Sequence, residues 1–115
     1  MELKFDKIGN VLKITVSGRL VAACSEEFKD TVSGWLNENK FLLFDLSAMS
    51  HIDSSGLGVL VYLLQKVNAQ EGALKLACLQ PRPRIVFDIT KVYRIFEIFD
   101  SVDAALASFE ADCKK

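Results

Sequence analysis

Apolar positions along this chain come in short runs of two kinds, alternating and helical, and their order predicts the elements. Val11-Leu12-Lys13-Ile14-Thr15-Val16 alternates, with Leu12, Ile14 and Val16 on one side, and is rich in β-branched residues, the pattern of a strand. With Leu3 to Asp6 before it and Gly9-Asn10 between, it predicts an amino-terminal hairpin. Ser25-Glu26-Glu27 then offers a cap and two first-turn acids for a helix that carries Phe28, Val32, Trp35 and Leu36 on its core face. Phe41-Leu42-Leu43-Phe44 is a continuous apolar run, as expected of a central strand covered on both sides.

A second helix is predicted from Asp53 onward, with Leu57, Leu60, Val61, Leu64 and Val67 on one stripe and Glu71-Gly72 as its stop. At about 100° per residue, Val59 and Leu63 widen the apolar arc to roughly 200°, more than a helix on one sheet needs. Either a neighbouring helix covers them, or Val59, Leu63 and Tyr62 contact a partner. Leu74 to Leu79 reads as another buried strand, with Cys78 in the core. Gln80 to Arg84 reads as a turn opening a short helix through Ile85, Val86, Phe87 and Ile89, and Arg94 to Phe99 as the last strand. Asp100 to Asp103 offers caps for a closing helix with Ala105, Leu106 and Phe109 inward and Lys114-Lys115 at its end. The order β-β-α-β-α-β-α-β-α predicts one α/β layered domain over residues 1–115. Its central sheet is mostly parallel, with an antiparallel hairpin at the amino terminus and helices packed on it.

Composition narrows the function. Half of the 115 residues are hydrophobic, enough for one core, and 14 Lys and Arg against 15 Asp and Glu leave no broad positive field for nucleic acid or an anionic membrane. The run Leu57 to Leu64 is too short to insert in a bilayer, and Met1 to Asp6 carries charge where a signal peptide is apolar, which points to the cytoplasm. Cys24, Cys78 and Cys113 are odd in number and form no C-x-x-C pair, so neither a disulfide framework nor a zinc knuckle is expected. With His51 the single histidine and no P-loop or G-x-G-x-x-G, no metal and no cofactor is expected.

The segment that carries chemistry is Ser50-His51-Ile52-Asp53-Ser54-Ser55-Gly56-Leu57-Gly58, read as a loop that turns into a helix N-terminus. Sites in open α/β sheets lie in loops at the carboxyl ends of strands. A phosphate on Ser54 could be received there by first-turn N–H groups and the positive end of the helix dipole. Gly56 and Gly58 would let another protein's backbone come close. The same residues serve as plain caps and packing glycines, and spacing alone leaves both readings open.

Asp53-Ser54-Ser55-Gly56-Leu57-Gly58, after Phe44-Asp45-Leu46 and before an apolar helix, resembles the signature of bacterial anti-sigma factor antagonists of the STAS family. The likeness extends to the early Ser17-Gly18-Arg19-Leu20 turn and to the ending Phe96 to Leu106. It implies a STAS-like fold and a protein-binding role without catalysis. By resemblance, Ser54 is the residue phosphorylated, with Ser55 the second candidate, and the kinase is itself an anti-sigma factor with serine kinase activity. The unphosphorylated form captures that partner and frees a sigma factor, and a PP2C-type phosphatase resets the switch. The expected contact residues are Asp53, Ser54, Ser55, Gly56, Leu57, Gly58, Val59, Tyr62 and Leu63. Many antagonists have an acidic or hydroxyl residue just after the early turn, where this chain has Val21-Ala22-Ala23-Cys24. That implies a different kinase or an altered contact.

Two other functions compete. One is a STAS accessory subunit of a membrane transporter ATPase, or another STAS scaffold that phosphorylation does not control. The other is a hydrolase with Ser54 as nucleophile and His51 as base, which lacks a G-x-S-x-G elbow and a third group. Arg82, Arg84, Lys91 and Arg94 read as a solvated basic face.

Overall fold

The chain folds as β1 (Glu2–Ile8), β2 (Val11–Leu20), α1 (Ala22–Trp35), β3 (Phe41–Asp45), β4 (Met49–Ile52), α2 (Ser54–Ala69), β5 (Ala73–Ala77), α3 (Pro81–Thr90), a 3-10 turn (Val92–Arg94), β6 (Glu97–Phe99) and α4 (Val102–Cys113). The structure, a computed structural model, describes residues 1–113, and side chains as far as residue 110. Lys114 and Lys115, expected at the end of the closing helix, lie outside the described residues, as does the side chain of Cys113.

The sheet runs β1-β2-β3-β5-β6, with β4 beside the far end of β2. Its antiparallel pair is the β1–β2 hairpin, in register from Glu2 opposite Ser17 to Ile8 opposite Val11; the pairs β2–β3, β2–β4, β3–β5 and β5–β6 are parallel. The predicted mostly parallel α/β sheet with an amino-terminal hairpin is therefore observed. Because side chains alternate along a strand, each strand serves two layers. Leu12, Ile14, Val16, Leu42, Phe44, Leu74 and Leu76 pack in the larger core with residues of α1, α2 and α3, whereas Val11, Leu43 and Ala77 pack with Ala105 and Phe109 of α4. Lys75, buried on β5, is paired with Glu97 at 3.0 Å and sits 4.8 Å from the Phe109 ring centre. The wide apolar arc of α2 has a simple cause: α1 lies alongside it as well as the sheet beneath.

Several boundaries differ from the sequence expectation. Ser17 to Leu20 is not a turn but the continuation of β2, with Gly18 at φ +90° where the register shifts. At that point β2 leaves β3, which it pairs from Leu12 to Thr15, and takes up β4. Met49–Ile52, read as loop, is thus a strand; its four residues show no alternation, and it exists because β2 extends to meet it. Helix α1 begins at Ala22, one turn before the expected cap at Ser25, whose hydroxyl is buried and directed at the Ala22 carbonyl (3.4 Å). β5 ends at Ala77, so Cys78 is not a strand residue: it is half-buried at φ +61°, and burial, then the Asp45 carboxylate, push its thiol pKa up. The last strand is three residues, because Val92–Arg94 forms a 3-10 turn ahead of it. Trp35 lies at the margin of the core, half-buried, with its ring tilted against that of Phe5 at 4.9 Å between centres.

Candidate functional site

Asp53 ends the β4 connection and caps α2. Its backbone is extended, with φ −116° and ψ −175°, and its Oδ1 accepts from the Gly56 amide at 3.0 Å. Its other oxygen, Oδ2, accepts from the Ala22 amide at 2.9 Å, at the start of α1. Val21, the N-cap of α1, has no capping side chain, so one carboxylate caps two helices. The amides of Gly56, and less strongly Ala22, draw the Asp53 pKa below its ordinary value, against an opposing effect of partial burial.

Ser54 and Ser55 follow as the first residues of α2, both exposed, and among the described residues neither hydroxyl has a hydrogen-bond partner. Gly56 and Leu57 turn inward. A Cβ on Gly56 would lie 2.3 Å from the Leu20 carbonyl oxygen and 2.8 Å from Leu20 Cγ. Gly56 is therefore glycine because α2 is clamped onto the end of β2, not to admit another protein. Gly58 is the open position: a Cβ there would meet nothing within 4 Å. One turn on, Tyr62 is half-buried, with Lys29 Nζ 4.5 Å and Lys66 Nζ 5.4 Å from its ring centre.

The nine expected contact residues thus divide. Ser54, Ser55, Gly58 and Tyr62 form an outward stripe, since Ser54, Gly58 and Tyr62 recur every fourth residue, and Asp53 lies at its head. Gly56 is buried, and Leu57, Val59 and Leu63 are 4%, 7% and 0% exposed, so these four belong to the interior and offer a partner no side-chain surface. The sharper reading of Val59 and Leu63 is corrected accordingly: both are buried in the core, on a helix that packs against α1 and the sheet. The second role of Asp53 was not visible in the sequence, because the Ala22 amide it holds is 31 residues away.

His51 lies on β4, not in a loop, and both ring nitrogens are engaged. Arg82 Nη1 is 3.1 Å from Nε2, Nδ1 is 2.9 Å from Ser50 Oγ, and that hydroxyl donates to the Gly18 carbonyl at 3.2 Å. The contacts agree with a chain running from Arg82 through His51 and Ser50, with the imidazole proton on Nδ1. Ser54 has no place in it, so among the described residues the histidine is paired with Ser50 and not with Ser54, the nucleophile a hydrolase would need. Among the described residues there is no cluster of three or more His, Cys, Asp or Glu that could hold a metal ion, and no helix is long and apolar enough to cross a membrane.

Comparison with known proteins bears on the family and the fold. BtrV of Bordetella bronchiseptica, named as a candidate anti-sigma factor antagonist, is 29% identical over 111 residues, 96% of each chain. The anti-sigma-B factor antagonist of Bacillus subtilis is 29% identical over 89 residues, 77% of this chain and 82% of that one. Among solved structures, the anti-sigma factor antagonist SpoIIAA in its unphosphorylated form has the same fold, with a TM-score of 0.83 at 17% identity over 96% of this chain and 97% of its own. The Bacillus protein in its phosphorylated form gives 0.73 at 17% identity, over 94% and 99%. A family model described as the STAS domain matches residues 2–105, which cover the hairpin, the parallel sheet and the Asp53 to Gly58 turn, and the chain belongs to that family.

Proposed function

We propose that this chain is an anti-sigma factor antagonist switched by phosphorylation of Ser54. The observation that carries the reading is the position of Ser54: exposed, at the first residue of α2, and next to a carboxylate whose two oxygens are already engaged. The names of the curated relatives support the general role, and a neighbour of the same fold is known in phosphorylated and unphosphorylated forms.

Without phosphate, the stripe of Ser54, Ser55, Gly58 and Tyr62 presents small polar groups and one aromatic ring to an anti-sigma factor with serine kinase activity. Capture of that partner frees a sigma factor. Phosphorylation adds about −1.5 to −2 charges beside Asp53. The helix N-terminus offsets part of that charge, so the fold persists while the surface becomes strongly negative. A PP2C-type phosphatase reverses the step. Ser55, also exposed, is the second candidate acceptor. The role requires no catalytic group, cofactor or nucleic acid and is assigned to the cytoplasm.

The test is a pull-down from lysate of the native cell with wild type, Ser54→Ala and Ser54→Asp, bound proteins being identified by mass spectrometry. A kinase-type ATPase should bind wild type and Ser54→Ala and be lost with Ser54→Asp. If a transporter ATPase binds all three equally, the accessory-subunit reading replaces this one.

A further inference from the structure

β1 is the outer strand on the antiparallel side of the sheet, and among the described residues its strand neighbour is β2 alone. An edge strand presents a row of unpaired backbone N–H and C=O groups, which proteins blunt by shortness, a bulge, a proline or charge. β1 is seven residues long, contains no proline, and keeps its register with β2 unbroken. Its remaining guard is charge, and that charge is self-complementary.

Glu2, Lys4 and Asp6 lie on one face of β1, and Leu3, Phe5 and Lys7 on the other. In a second β1 laid antiparallel along the first with Phe5 opposite Phe5, Lys4 of each copy faces Asp6 of the other. Leu3 then lies opposite Lys7 and Glu2 opposite Ile8, so all seven residues pair. Centring the pairing on Lys4 instead would oppose Glu2 to Asp6, and centring it on Asp6 would oppose Asp6 to itself. Phe5 stands at the centre of the favourable register and is 59% exposed despite its contact with Trp35.

We propose that β1 is a self-pairing edge through which two copies of this chain join into one continuous sheet, with a two-fold axis at Phe5. The charges that repel other strands select this one. The interaction is separate from the Ser54 stripe and does not depend on it.

Sedimentation velocity on wild type, Lys4→Asp, Asp6→Lys and an equimolar mixture of the two variants tests the pairing. Wild type should be a reversible dimer. Each variant alone opposes like charges at both positions and should dimerise about tenfold more weakly or worse. The mixture again sets opposite charges against each other at both positions and should form a heterodimer with wild-type affinity. A wild type that stays monomeric throughout, or variants that dimerise as well as wild type, would overturn the proposal. Asp6 also faces Lys13 on β2, so Asp6→Lys could be misfolded. Hydrogen exchange on wild type provides a second measurement: protection of residues 2–8 should rise with protein concentration, and exchange that ignores concentration would equally overturn the proposal.

Discussion

The first two turns of α2 have an inward side and an outward side that obey opposite rules. Inward, Gly56 allows the helix to lie against the Leu20 carbonyl, and Leu57, Val59, Leu60 and Leu63 are buried. Outward, Ser54, Ser55 and Gly58 are exposed, and no atom comes within 4 Å of where a Gly58 side chain would begin. Two glycines two residues apart therefore do different things, one fixing the helix and one leaving its surface bare. The comparison teaches that the proposed switch would be displayed on a rigid support: what is held in place and what is left exposed are neighbouring positions of one helix.

The sharpest way to break this comparison is Gly56→Ala, which forces a methyl group against the β2 backbone. It should cost about 2–3 kcal/mol in urea unfolding. A loss below about 1 kcal/mol would mean that the first turn is not clamped. Next is Asp53→Ala, which strips a cap from α1 and α2 together and should cost about 1–2 kcal/mol at neutral pH. The carboxyl pKa is depressed in the folded state, so its stabilisation is present above the ordinary carboxylate pKa and is lost as pH falls through the lowered value. The stability gap between wild type and Asp53→Asn should accordingly be constant at neutral pH and shrink below about pH 4. Gly58→Ala should do the reverse of Gly56→Ala, raising stability by about 0.5–1 kcal/mol through helix propensity, while reducing capture of the proposed kinase-type partner. The smallest change expected is Ser54→Ala, within about 0.5 kcal/mol of wild type by thermal or urea unfolding.

Much of the fold was legible because its signals are local. The alternation of Leu12, Ile14 and Val16, the apolar run Phe41 to Phe44 and the stripe on α2 each declare an element without help from the rest of the chain. Asp53, Ser54 and Gly58 could be singled out for the same reason, since cap, hydroxyl and glycine sit within one helical turn. What could not be read depends on distant partners. β4 has no pattern of its own and forms where β2 outruns β3. The start of α1 could not be found because Val21 is no cap and the residue that supplies one lies beyond β4. Val59 and Leu63 could be placed on an arc, but only the tertiary packing, in which both are buried in the larger core, decided that the arc faces inward.

The shared cap at Asp53 bears on the order in which the chain acquires its structure. A hairpin such as β1–β2 closes on the microsecond scale once both its strands exist. The Ala22 amide, by contrast, waits for an acceptor 31 residues downstream. During synthesis, which proceeds from the amino terminus, α1 therefore emerges with its first turn uncapped and stays so until residue 53 has left the ribosome. The carboxylate that caps α1 arrives only with the start of α2, so one side chain ties the first turns of the two helices together.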